Sequence, residues 1–203
     1  MTERHWRGWA AAIALCGWSG LVLQVVLAAL RDHSVSAAIW RLSIFFTILA
    51  NLTTAIVFTG IAFGSLKLRH PRLLAGLAMA MALTGAVFEL MLRRVVHPTG
   101  WRLVTNALLH DAMPLLTVGA WLVLAEKGQL RARDPWLIAI FPVAYLGYAL
   151  IRGATGNFYP YPFIDPGKIG WAGVSAYVLG ISVAFLLFGH LMVLLDRRLA
   201  RRS

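Results

Sequence analysis

Residues 42–63, LSIFFTILANLTTAIVFTGIAF, carry no charged side chain over twenty-two positions. A helix rises about 1.5 Å per residue, so such a run covers the roughly 30 Å hydrocarbon core of a bilayer. Its polar residues are not scattered. Ser43, Thr47, Asn51 and Thr54 recur at i, i+4, i+8 and i+11, which places them on one face of a helix. The stretch reads as a membrane span with one polar stripe.

Further apolar runs lie on either side, at about 10–30, 73–92, 103–124, 136–151 and 172–195. Together they predict an all-α, polytopic bundle of six transmembrane helices, forming one domain over 1–203. The run at 136–151 is short and is expected to continue through Arg152, whose side chain snorkels to the interface. Composition agrees. The chain is 60% hydrophobic and 13% charged, where soluble domains carry roughly a quarter charged residues. A net charge of +11 raises nucleic acid as a partner. The lysines and arginines, however, cluster between the apolar runs as topology signals do, so no nucleic-acid binding is expected. Cys16 is the only cysteine, which excludes an intrachain disulfide. The basic start resembles a signal peptide, but its apolar stretch exceeds the roughly 7–15 residues of a signal core and no clear small-x-small site follows. An uncleaved first helix is expected.

Twelve of the nineteen basic residues fall on one side of this topology. They are Arg4 and Arg7, then Lys67, Arg69 and Arg72, then Lys127, Arg131 and Arg133, and finally Arg197, Arg198, Arg201 and Arg202. The positive-inside rule therefore predicts both termini in the cytoplasm. Trp40, Trp101 and Trp171 then open the second, fourth and sixth helices at the outer interface, with Trp6, Trp9 and Trp136 at the inner one.

Two more polar stripes match the first. Arg102, Asn106 and His110 recur in the fourth run, and Tyr145, Tyr148 and Arg152 in the fifth. Thr47 is seven residues beyond Trp40 and His110 nine beyond Trp101, a depth of about 10–14 Å along a helix. Pro114 lacks an N–H and clashes with the carbonyl of His110, so a kink is expected beside the histidine. Above these groups the chain reads YLGYALIRGATGNFYPYPFIDP at 145–166. Gly153 and Gly156 are expected to turn the backbone, and Pro160, Pro162 and Pro166 to stiffen it. This predicts a rigid, aromatic-lined lid at the membrane surface, presenting Tyr159, Tyr161 and Asp165.

Each polar residue has a plainer reading beside the functional one. Ser43, Thr47 and Thr54 can bond their own helix, and Asn51 can join two helices. Glu89 stands four before Arg93 and can form a helix-end ion pair. His190 can bond a neighbour, and Asp165 can fix a turn. Asp111 either orients His110 or faces a loop. His110 is the exception, since ionisable residues inside spans are rare and mark sites.

Three passages, RLSIFFTILANLT at 41–53, TNALLHDAMPLL at 105–116 and LIRGATGNFYPYPFIDP at 150–166, give the chain a family likeness. It resembles the six-helix membrane family that includes the androgen-induced and androgen-dependent proteins of animals, and most of all the bacterial Pr6Pr-type integral membrane proteins. The animal members are threonine hydrolases of fatty acid esters of hydroxy fatty acids. The resemblance implies Thr47 as nucleophile, His110 as base, a lipid or amphiphilic ester as substrate, and a bacterial inner membrane. The chain departs from the animal members in its third outer loop. Asn106 or Asp111 would orient the imidazole, Asn51 would donate to the oxyanion, and Arg152 would grip a carboxylate. No metal or cofactor is expected. A haem or quinone carrier using His110 and His190 is disfavoured because the two lie at opposite depths. A non-enzymatic protein that binds or transports a lipid or small ligand is the main alternative.

Overall fold

The computed structural model describes residues 3–156 and 158–201, so Arg202 of the charge count and Asn157 of the loop lie outside the described residues. The chain is all-helical, with no strand among the described residues. Five helices are long and apolar enough to cross a membrane: Glu3–Asp32, Pro71–Leu92, Trp101–Leu124, Asp134–Gly156 and Pro166–Ala200. A bent pair, Val35–Leu42 and Phe46–Ala62, makes a sixth if the two count as one span. The helices group into two compact units, Met1–Gln129 and Leu130–Ser203.

The first unit begins with α1 (Glu3–Asp32). His33, at φ 51°, turns the chain, and Ser34 caps α2 (Val35–Leu42) by accepting the Ala37 N–H at 3.3 Å. Helix α2 folds back on the end of α1. Its Ala38 and Leu42 pack against Ala28, and Arg41 donates to Asp32 at 2.8 Å. Here the second span departs from expectation. The run at 42–63 is not one helix: α2 and α3 (Phe46–Ala62) meet at 99°. Ser43 ends α2, with its hydroxyl on the Trp40 carbonyl at 2.8 Å and its N–H on the Ile39 carbonyl. Phe45 is extended, and α3 starts only after it. Ser43 therefore leaves the polar stripe, and seven residues from Trp40 no longer measure depth. Apolarity identifies the span but is blind to a break whose residues, Ile44 and Phe45, are themselves apolar.

Helix α3 packs closely on α1. A Cβ on Gly17 would lie 3.0 Å from Ala55, and Trp18 donates across to the Thr59 hydroxyl at 3.0 Å. Leu21, Ala55 and Leu109 form one buried cluster. Helix α4 (Pro71–Val87) continues as a π turn over Phe88–Leu92, in which the Arg93 N–H reaches back five residues to the Phe88 carbonyl at 2.7 Å. The fourth apolar run is α5 (Trp101–Asn106), a second π turn at Ala107–Ala112, and α6 (Met113–Leu124). The irregularity expected at Pro114 is thus a π turn within one continuous helix.

The second unit holds α7 (Asp134–Ile138), α8 (Ile140–Gly156) and α9 (Pro166–Ala200). Helix α8 runs through Arg152 and both glycines, so Gly153 and Gly156 do not make the turn expected of them. Gly153 serves packing instead. A Cβ there would lie 2.3 Å from the Tyr159 ring, so the missing side chain lets that ring rest on the helix. Pro162–Ile164 form a short 3-10 turn, and Tyr161 stacks on Phe163 at 5.1 Å. Asp165 caps α9 by accepting the Gly167 N–H at 3.0 Å, and Gly170 (φ 68°) interrupts that helix just before Trp171. At the far end, Asp196, fully buried, accepts the Leu130 N–H at 2.9 Å.

Candidate active site

Helix α3 and the second π turn bring Thr47 and His110 together. Thr47 is the second residue of α3, in the first turn, where main-chain N–H groups have no acceptor within the helix. Its Oγ1 lies 3.2 Å from Nε2 of His110. Thr47 is buried and His110 half-buried. Phe88 stacks on the imidazole, with centroids 4.3 Å apart and planes inclined at 29°. Both residues of that stack lie on π turns, a local form frequent at functional sites. Glycine lets these two helices approach: a Cβ on Gly85 would lie 3.2 Å from Pro114 and 3.4 Å from the His110 carbonyl.

Asn51 stands one turn below Thr47, fully buried. Its Nδ2 donates to the Thr47 carbonyl at 2.8 Å and to the Leu109 carbonyl at 3.2 Å. Both partners accept only, which sets the orientation of the amide. Its two hydrogens are therefore used on the main chain, and the donor to an oxyanion expected of Asn51 is already engaged. Its Oδ1 is buried with no hydrogen-bond partner among the described residues. Thr54 bonds the Ala50 carbonyl of its own helix at 2.8 Å, the plain reading.

Nδ1 of His110 is buried and makes no hydrogen bond of regular geometry among the described residues. The Asn106 main-chain carbonyl, four residues back, lies near the ring. Of the two residues expected to orient the imidazole, Asn106 approaches it through its main-chain carbonyl rather than its amide, and Asp111 makes no bond to it among the described residues. Asp111 turns to Arg93 instead, at 2.5 Å. Arg93 also pairs with Glu89, its Nε donating to Oε2 at 2.6 Å, and its guanidinium sits 5.1 Å from the Phe88 centroid. The Glu89 hydrogen bond raises the Arg93 pKa above its ordinary value, and Asp111 adds to it. An ion cluster of two carboxylates and one guanidinium thus borders the histidine's aromatic partner.

The remaining expected residues lie in the second unit. Arg152 donates to the Tyr148 hydroxyl at 2.5 Å and lies over that ring. Tyr159 covers Gly153, Tyr161 stacks on Phe163, and Asp165 is a helix cap. Nδ1 of His190 is 2.7 Å from the Leu186 carbonyl of its own helix. Among the described residues no three of His, Cys, Asp or Glu are grouped to hold a metal ion.

Phe88, Gly85 and the Leu109 carbonyl belong to the site without having been singled out in the sequence. A glycine inside the α4 pattern is a signal of close approach, and Pro114 a signal of a main-chain defect. Nothing in the local sequence marks Phe88.

Comparison with known proteins identifies no relative: no family model, no curated protein and no solved structure matches the chain.

Proposed function

We propose that the protein is an integral membrane threonine hydrolase that cleaves lipid esters, fatty acid esters of hydroxy fatty acids or similar amphiphiles. The observation that carries this reading is the 3.2 Å contact between the Thr47 hydroxyl and Nε2 of His110, set within apolar helices. A threonine hydroxyl is a weak nucleophile at neutral pH and needs a base within hydrogen-bond reach. In the proposed reaction Thr47 Oγ1 attacks the ester carbonyl carbon as its proton passes to His110 Nε2. The tetrahedral intermediate collapses, and the leaving alcohol takes that proton. Water then attacks the acyl-threonine, gives its proton to Nε2, and the acid leaves as Thr47 is reprotonated. This sequence needs a neutral imidazole with its proton on Nδ1, and the Asn106 carbonyl is the main-chain acceptor near the ring. The Thr47 position in the first turn of α3 adds the positive end of a helix dipole beside the developing oxyanion.

The same reading makes the bent pair one span of six, both termini cytoplasmic, in a bacterial inner membrane. The basic residues flanking the helices support that orientation, and the family resemblance supports the compartment and the substrate class.

Binding without bond cleavage is the second reading. It is favoured by Oδ1 of Asn51 and Oγ1 of Thr117, buried polar atoms with no hydrogen-bond partner among the described residues.

Labelling by a lipid-like fluorophosphonate separates the two. The hydrolase reading expects covalent labelling of wild type that is lost in Thr47→Val and in His110→Ala. An unlabelled, well-folded wild type overturns it in favour of binding.

A further inference from the structure

We propose that Asn51 is a positioning residue that holds His110 opposite Thr47, with one amide bonded to the main chain on both sides of the pair. The inference rests on the hydrolase reading for its kinetic consequence, though not for its geometry. The need for such a clamp arises in the π turn. There the Met113 N–H donates to the Leu108 carbonyl, five residues back. The same register pairs the Leu109 carbonyl with position 114, which is proline and has no N–H. An orphaned carbonyl in an apolar interior is costly. The Asn51 Nδ2 supplies the missing donor from the neighbouring helix at 3.2 Å, fifty-eight residues away in sequence.

The other hydrogen of the same amide goes to the carbonyl of Thr47 itself, at 2.8 Å. The two acceptors belong to the nucleophile and to the residue preceding the base. A planar amide with both hydrogens committed has little freedom to slide, so the register of α3 against the π turn follows from it. With the side chain fully buried, no water competes for these bonds. Leu109 also packs against Gly20 of α1, where a Cβ would lie 2.6 Å from a Leu109 methyl. Removing the Asn51 bond leaves Leu109 confined by packing but without a directional tie to α3.

The test uses the full-length protein in bilayer nanodiscs with 15N-labelled histidine. The His110 ring signals are assigned as those lost in His110→Gln. Thr47→Val gives the shift produced by losing the Thr47–His110 contact. The clamp predicts that Asn51→Leu moves the Nε2 signal in the same direction and by a comparable amount. Asn51→Ser, which can bond the Thr47 carbonyl within its own helix but is too short to reach Leu109, should do likewise and guards against misfolding of the leucine variant. Thr59→Val, which breaks the α3 bond to Trp18, should leave the signal in place. In fluorophosphonate kinetics, both Asn51 variants should slow the maximal labelling rate by about tenfold to a hundredfold, with the half-saturating probe concentration unchanged. Ring signals in folded Asn51→Ser that coincide with wild type overturn the proposal. If wild type is not labelled at all, the hydrolase reading falls, and the ring signals alone decide the clamp.

Discussion

The Thr47 hydroxyl and the His110 imidazole meet at 3.2 Å across sixty-three residues of sequence, one from the first turn of a helix and the other from a π turn. Neither local form is regular helix interior, and both leave main-chain groups outside the regular helical ladder. Under the proposed hydrolysis the two residues are interdependent. Thr47→Val removes the hydroxyl while keeping the shape, and His110→Ala removes the base. Each is expected to slow phosphonylation by a fluorophosphonate, in which the hydroxyl displaces fluoride from phosphorus, by about 10²–10⁴-fold, and the double variant by little more than the worse single one. Thr47→Ser should retain activity. Multiplying effects in the double variant would show that the two do not act as a unit.

Asn51 and Pro114 are linked through the Leu109 carbonyl, and thermal unfolding in detergent reads that link. Asn51→Leu should destabilise the protein by about 1–3 kcal/mol, the cost of leaving a buried acceptor unmet. Adding Pro114→Ala restores an N–H at position 114 and should recover part of the loss. Strictly additive effects would break the link.

Gly85 permits the approach of α4 to Pro114 and the His110 carbonyl. A methyl there meets a proline ring and a main-chain oxygen, neither of which can rotate away. Gly85→Val is therefore expected to cost about 1–3 kcal/mol by overpacking and to slow labelling, with Gly85→Ala in between. Unchanged unfolding of the valine variant would show that α4 yields freely.

In the second unit, the buried Asp196 receives the Leu130 N–H while its Oδ1 has no hydrogen-bond partner. Asp196→Leu should lose about 1–3 kcal/mol by orphaning that amide. Asp196→Asn keeps an acceptor for the Leu130 N–H and should be the milder change in the same unfolding measurement. A leucine variant as stable as wild type would exclude a role for the bond.

The proposed topology places both ends of the chain in the cytoplasm. Fusions of green fluorescent protein to either terminus should fluoresce, and alkaline phosphatase fusions at the same points should be inactive. Phosphatase activity at one end only would require an odd number of spans.

Apolar length alone was enough to locate five helices long and apolar enough to cross a membrane, because a bilayer demands about twenty apolar residues and an all-helical backbone wherever lipid is the solvent. Helical periodicity was likewise enough to put Thr47, Asn51 and Thr54 on one face, and an ionisable His110 inside a span stands out in any such sequence. The 99° break after Leu42 was hidden, since Ile44 and Phe45 satisfy the hydropathy of a straight span as well as that of a bend. Gly153 sits inside a helix and Gly156 at its last residue because a glycine permits a turn without requiring one, and at Gly153 the close Tyr159 ring uses the missing side chain instead. The partners of a polar group are also a tertiary decision. Asp111 pairs with Arg93 rather than the adjacent histidine, and Asn51 spends its amide on Leu109, fifty-eight residues on. Which residues face inward follows from local spacing. Which of them touch depends on how separate helices are brought together, and no local pattern encodes that.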